Sequence, residues 1–230
     1  MAWAHPEFGS LIAVACDRSV LIFEETSYGQ CKNTQNGWVK RSPPLSDARD
    51  SITDLKFAPK YLGLQLVLCA KNGQVLIYEC ADILNSNVWS LAHPELRTNM
   101  NSCSSCSWST CFNLPILLAI SSDESTNPTA DKLSIFEYND NNRAYSRIEK
   151  LAVCTEPIKS IAFAPSIGKL YHVLAIASRS LYVSTLTLKP GKDAHKYQIT
   201  TVTLDSDVSV SMFNFFFSLL FKLYTLAGFL

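Results

Sequence analysis

The chain has 230 residues, of which 47% are hydrophobic and only 17% charged; that is long enough to bury a core without disulfide staples and too apolar for a disordered chain. Twenty Lys and Arg balance twenty Asp and Glu, so no general attraction to DNA, RNA or acidic lipid is built in. Eight cysteines, Cys16, Cys31, Cys69, Cys80, Cys103, Cys106, Cys111 and Cys154, would suit a disulfide framework only in a secreted protein. The opening residues show no basic segment followed by an apolar run, so no signal peptide is expected and the thiols are read as reduced, several of them packing as small hydrophobes.

In chain order the sequence repeats itself. The first copy starts mid-unit at Trp3-Ala-His-Pro6 and continues through Leu11-Ile-Ala-Val-Ala15, the turn Asp17-Arg18 and Ser19-Val-Leu-Ile-Phe23. Trp38-Val-Lys-Arg41 reads as a short outer strand ahead of the next blade. The plainest copy is Ser51-Ile-Thr-Asp-Leu-Lys-Phe57-Ala-Pro59, then Leu66-Val-Leu-Cys-Ala70, Asn72-Gly73 and Gln74-Val-Leu-Ile-Tyr78. A looser copy runs through Cys103-Ser-Ser-Cys-Ser-Trp108, Pro115-Ile-Leu-Leu-Ala-Ile120 and Lys132-Leu-Ser-Ile-Phe136. The last is Pro157-Ile-Lys-Ser-Ile-Ala-Phe163-Ala-Pro165, Val173-Leu-Ala-Ile-Ala177 and Leu181-Tyr-Val183. The aromatic markers Trp3, Phe57, Trp108 and Phe163 lie about 51 to 55 residues apart, longer than a compact WD-type repeat of roughly 40 to 45.

Apolar runs of this length separated by Asn-Gly, Asp-Arg and Pro signals are hairpin-connected strands rather than helices. In Ile52-Thr-Asp-Leu-Lys-Phe57 simple alternation places Thr53, Leu55 and Phe57 on one face and Ile52, Asp54 and Lys56 on the other. Residues 66–70 are apolar on both faces, as in a strand covered by neighbouring sheets. The expected fold is therefore all-β, a WD-repeat β-propeller that is incomplete, with about four blades as an open arc. The blades occupy residues 1–204, with no domain division among them, and residues 205–230 form a divergent apolar tail. The polar stretches at 24–50, 121–131 and 189–196 are expected to be surface loops that serve binding or are flexible insertions.

Chemistry-bearing constellations are sparse. Cys103, Cys106 and Cys111 have metal-like spacing, but no second pair exists and His93 stands ten residues upstream, so zinc is not expected. A redox Cys-x-x-Cys wants a helix N-terminus, and these residues fall on a strand. His5, His93, His172 and His195 share no recurring carboxylate or nucleophile motif; His5 and His93 precede prolines and read as turn or surface residues. Asp17, Asn72 and Asp123 read as turn formers rather than paired carboxylates. Eight glycines without a phosphate-binding pattern exclude a nucleotide loop. Lys56, Lys60, Lys159 and Lys169 recur beside the Phe-Ala-Pro corners, where the choice lies between a basic rim for an acidic partner and a solvated face, and the zero net charge favours the latter. No catalytic, cofactor or metal residue is assigned, and the chain is not expected to be an enzyme.

Trp3-Ala-His-Pro-Glu-Phe-Gly9, Trp38-Val-Lys-Arg41, Ser51-Ile-Thr-Asp-Leu-Lys-Phe-Ala-Pro-Lys60, Gln74-Val-Leu-Ile-Tyr-Glu79, Ile135-Phe-Glu-Tyr-Asn139 and Ile161-Ala-Phe-Ala-Pro165 with His172-Val-Leu-Ala-Ile-Ala177 closely resemble the Seh-one type of Sec-thirteen-like WD-repeat nucleoporins over roughly residues 2–204. The resemblance implies a six-bladed open propeller completed by a blade that an α-solenoid nucleoporin donates in trans. It implies a scaffold role in the Y-complex of the nuclear pore, at the nuclear envelope, supporting transport of mRNA and protein. It also implies a second assembly, the GATOR complex, which relays amino-acid sufficiency to TOR at the lysosomal membrane. The mode of action would be β-augmentation, in which a strand of one chain satisfies the edge N–H and C=O groups of another. Against that pattern the chain starts inside the second blade, and the match fades from about Thr203. Residues 212–230 carry Lys222 as their single charge. They read either as a transmembrane tail anchor, which would make the propeller a cytosolic interaction face, or, as we favour, as translated non-coding sequence after a real exon.

Overall fold

The computed structural model describes residues 1–25, 37–82, 86–111, 113–127, 130–148, 155–165, 168–189 and 197–205. The expectations for Cys31, Cys154, His195 and the 212–230 tail lie outside them. The described residues form four antiparallel sheets of four strands each, in chain order. The first sheet is β1 (Ala2–Trp3), β2 (Leu11–Cys16), β3 (Ser19–Glu25) and β4 (Trp38–Lys40). The second is β5 (Ile52–Phe57), β6 (Gln65–Ala70), β7 (Val75–Glu79) and β8 (Ser90–Leu91). The third is β9 (Ser105–Trp108), β10 (Leu117–Ser121), β11 (Leu133–Asn139) and β12 (Ala144–Arg147). The fourth is β13 (Ser160–Phe163), β14 (Tyr171–Ala177), β15 (Leu181–Leu188) and β16 (Tyr197–Asp205). This is the blade pattern of an incomplete WD-repeat propeller, and among the described residues no helix is long and apolar enough to cross a membrane.

Each blade is built by the same local rules. The two hairpins joining the three inner strands put Leu, Ile, Val and Ala in register on adjacent strands, as in Leu68 opposite Leu76 and Ala119 opposite Ile135. All six residues of β6 are buried, the both-faces burial that its unbroken apolar run implies. Trp38–Lys40 closes the first sheet from outside by pairing Phe23 with Lys40, so the segment belongs to the blade before it.

The chain packs as two compact units, Met1–Cys106 and Ser107–Leu230. In the first unit Leu11, Ala13, Val20 and Ile22 meet Leu55, Leu66, Leu68, Leu76 and Tyr78 in one core. In the second, Leu117, Ala119, Leu133 and Ile135 meet Ile161, Phe163, Leu174, Ile176 and Tyr197. Neighbouring sheets within a unit are stitched at matching points of the repeat. The Ile52 N–H donates to the Asp17 carbonyl at 2.8 Å, and the Ile158 N–H donates to the Ser122 carbonyl at the same distance. Asp17 itself has φ 52, the left-handed conformation a tight hairpin needs, and its carboxylate accepts the Ser51 hydroxyl at 2.7 Å. The residue read as a turn former thus also fastens one blade to the next.

One face assignment is corrected. The register of β5 slips between Ile52 and Asp54, so Thr53 is an extra, exposed residue whose hydroxyl donates to the Cys69 carbonyl at 3.1 Å. Ile52 therefore takes the place on the core side with Leu55 and Phe57. A β-bulge resets strict alternation at that point, and the bulge has no signature in the local run of residue types.

Candidate interaction edges

An all-β chain that works by contact offers partners its loops and the open edges of its sheets. Among the described residues each sheet ends in two strands, of which those last in chain order are β4, β8, β12 and β16. Three are short, two to four residues long, and two of those carry a cation, Lys40 or Arg147. Short, charged edges resist unwanted pairing. The fourth, β16, has nine residues and reads Tyr-Gln-Ile-Thr-Thr-Val-Thr-Leu before its one charge, Asp205.

The start of β16 is firmly held. Tyr197 is buried in the core of the second unit, and its hydroxyl donates to Glu137 on β11 at 2.8 Å. Burial first, and then that carboxylate, push the phenol well above its ordinary pKa, so it stays a donor. Thr201 and Ser184 share a hydroxyl hydrogen bond of 2.8 Å across the β15–β16 ladder. Beyond Ile199 the strand emerges: Val202 is 54% and Leu204 62% exposed. Tyr78 repeats the anchoring device in the first unit, donating to Asp47 at 2.6 Å.

Asp54 is a junction that the sequence did not point to. Its Oδ2 accepts the Cys106 N–H at 3.0 Å and the Ser105 hydroxyl at 3.1 Å. Lys132 is another: only 4% exposed, it donates to the carbonyls of Glu124 and Asn127 at 2.6 and 2.9 Å, so a buried cation straps the polar 121–131 loop. A lysine preceding an apolar strand and following a loop rich in Ser and Asp was the available signal.

The residues singled out by type fall as follows. Cys103 and Cys106 lie buried in the first unit beside Cys69, and hydrogen bonding to those two thiols, with burial behind it, holds the Cys69 thiol well above its ordinary pKa. Cys111 belongs to the second unit, its Sγ 3.9 Å from the Lys169 carbonyl. Among the described residues no group of three or more His, Cys, Asp and Glu is arranged to hold a metal ion. His5 caps a short turn, its Nδ1 accepting the Glu7 N–H at 3.3 Å. His172 is buried against Phe163, with no hydrogen-bond partner at either ring nitrogen; burial lowers its pKa to about 4. Asn72 makes the expected turn bond to the Gln74 N–H, 3.1 Å. Lys60 is paired with Glu7, Lys56 lies 3.7 Å from Asp54, and Lys169 sits over the Tyr171 ring. Each of these three lysines has a partner close by.

Repeated four-stranded antiparallel blades, stitched at matching repeat positions, place the chain among WD-repeat propeller proteins. No family model matches the chain. It is similar to nucleoporin SEH1 of Homo sapiens, 43% identical over 197 residues that cover 83% of this chain and 53% of the relative. The Danio rerio nucleoporin SEH1 is 41% identical over 192 residues, 81% of this chain and 52% of the relative. Nucleoporin SEH1-A of Xenopus laevis is 39% identical over 214 residues, 88% of this chain and 58% of the relative. The chain belongs to the nucleoporin SEH1 family, and it spans about half the length of the curated relatives it matches.

Proposed function

We propose that this chain is a scaffold subunit of the nuclear pore complex that acts through strand edges and blade surfaces and performs no chemistry. The observation that carries this reading is 43% identity across 83% of the chain to nucleoporin SEH1. Its partners would be an α-solenoid nucleoporin that contributes a blade in trans and the other subunits of the Y-complex, at the nuclear envelope. In that setting it supports passage of mRNA and protein, and a second pool serves amino-acid signalling to TOR in the GATOR complex at the lysosomal surface. Blades suit such work because backbone edges offer affinity without a dedicated pocket.

The test is a pull-down with the α-solenoid nucleoporin, run beside a control carrying the full set of six blades. Capture of both supports a working subunit. Capture of the control alone would mean that this chain lacks the interface and that the scaffold role belongs to longer forms.

A further inference from the structure

We propose that β16 is a homotypic docking edge, through which two copies of this chain pair antiparallel about a two-fold axis at Thr201. The inference rests on the edge itself and is independent of the nuclear pore reading.

A sheet's last strand has one side of its backbone unpaired, and proteins blunt such edges with brevity, charge or proline. Those devices are absent from residues 197–204, which contain no Lys, Arg, Asp, Glu or Pro. The strand is also regular for most of its length. Its pairing with β15 runs unbroken from Tyr197 to Thr203 and shifts only at Leu204, where Leu181 pairs with Asp205.

The outward-facing groups can be identified. The Thr185 hydroxyl donates to the Thr200 carbonyl at 3.3 Å, so that carbonyl faces β15. Backbone polarity alternates along an antiparallel strand, which turns the N–H and C=O of Ile199, Thr201 and Thr203 away from the blade. Placed antiparallel to itself about Thr201, the strand sets Thr201 against its copy and Ile199 against Thr203 on both sides. Each of these three residues then meets a complementary one, each facing pair exchanging two hydrogen bonds. Between those pairs, Thr200 faces Val202.

Charge decides for a second copy as the occupant. Self-pairing is penalised when like charges meet, and in this register the strand's one charge, Asp205 at its end, does not meet its copy. The facing residues are β-branched, as pleated pairs prefer, and the largely exposed Val202 would gain cover. The interface is isologous and closes on itself. A single pair of strands buries less than the roughly 1,200 Å² of a standard interface, so the dimer is weak and must be sought as a function of concentration.

Sedimentation velocity of the full chain across a concentration series is expected to show a monomer–dimer equilibrium. Hydrogen exchange on the same samples should show Ile199, Thr201 and Thr203 amides gaining protection with concentration while Gln198 and Thr200 do not change. Thr201→Pro removes an outward N–H together with the Thr201–Ser184 hydroxyl bond, leaves the backbone bonds of the inner ladder in place, and should weaken the dimer at least about tenfold by removing both central bonds. Val202→Lys, which touches no inner bond, should weaken it in the same direction. A chain that stays monomeric throughout, a dimer that protects other amides, or an association constant unmoved by both variants overturns the proposal. The exchange pattern of the unsubstituted chain decides the matter even if a variant does not fold.

Discussion

His172 shows how a single buried side chain sets a pH limit. It lies on β14 with 1% exposure, touching Phe163, and both ring nitrogens have left water without a well-formed hydrogen bond in return. Burial is the main cause of its lowered pKa, about 4 against 6.5, opposed in part by the Pro115 carbonyl and the Glu137 carboxylate. The folded state therefore holds the neutral ring while the unfolded chain takes up a proton below pH 6.5. The stabilisation is fully present above pH 6.5 and is lost as pH falls towards 4, by up to about 3 kcal/mol from this residue. His172→Leu should flatten that part of the curve: denaturant midpoints of the two proteins at pH 7 and pH 5 should differ in slope, with the variant losing less. Parallel curves would mean that the imidazole is accommodated as a cation. Composition gave no hint of this role, because a histidine in an apolar run looks the same whether or not its nitrogens find partners.

At the scale of elements, the hairpins and the short outer strand at Trp38 were readable, and the other outer strands were not. Leu66 to Ala70 and Val173 to Ala177 announce themselves because burial on both faces demands unbroken apolar residues, a demand written locally in the sequence. β8 is Ser-Leu with both residues exposed, and β16 has three threonines among its nine residues. Their conformation is imposed by the ladder of β7 or β15, a pairing between residues distant in sequence that no local pattern encodes. Ile52 and Thr53 were misplaced for a related reason, since the bulge at Thr53 is a property of the pair β5–β6 rather than of β5. The Asn72-Gly73 turn between β6 and β7 was legible, and the structure adds its second constraint. Gly73 has φ +83, and a Cβ there would stand 2.2 Å from the Met100 carbonyl oxygen. Gly73→Ala should therefore lower stability by at least about 2 kcal/mol, combining backbone strain with displacement of the 98–100 backbone. A denaturant midpoint within error of the unsubstituted chain would show that this loop yields without cost.

Over the whole molecule, zero net charge is matched by local neutralisation. Arg41 is bonded to Glu24 at 2.7 Å, Arg49 lies 3.1 Å from Glu95, Arg147 2.6 Å from Asp131, and Lys60 is joined to Glu7. Non-specific binding to nucleic acid draws its free energy from counterions released when clustered Lys and Arg meet phosphates. Cations already answered by carboxylates release few. The chain should consequently leave the anisotropy of labelled duplex DNA and single-stranded RNA unchanged at physiological salt, and show only a shallow response when salt is lowered. Binding with a steep salt dependence would reveal a cationic face that these pairs do not neutralise, and would reopen the reading of Lys56, Lys60, Lys159 and Lys169 as a rim. The expected indifference accords with the scaffold role proposed above, because a pore subunit that held nucleic acid would retard the cargo passing it. Neutrality at this scale and a β16 edge uncharged from Tyr197 to Leu204 also act together: with no long-range repulsion between copies, short-range backbone pairing is left to decide whether they associate.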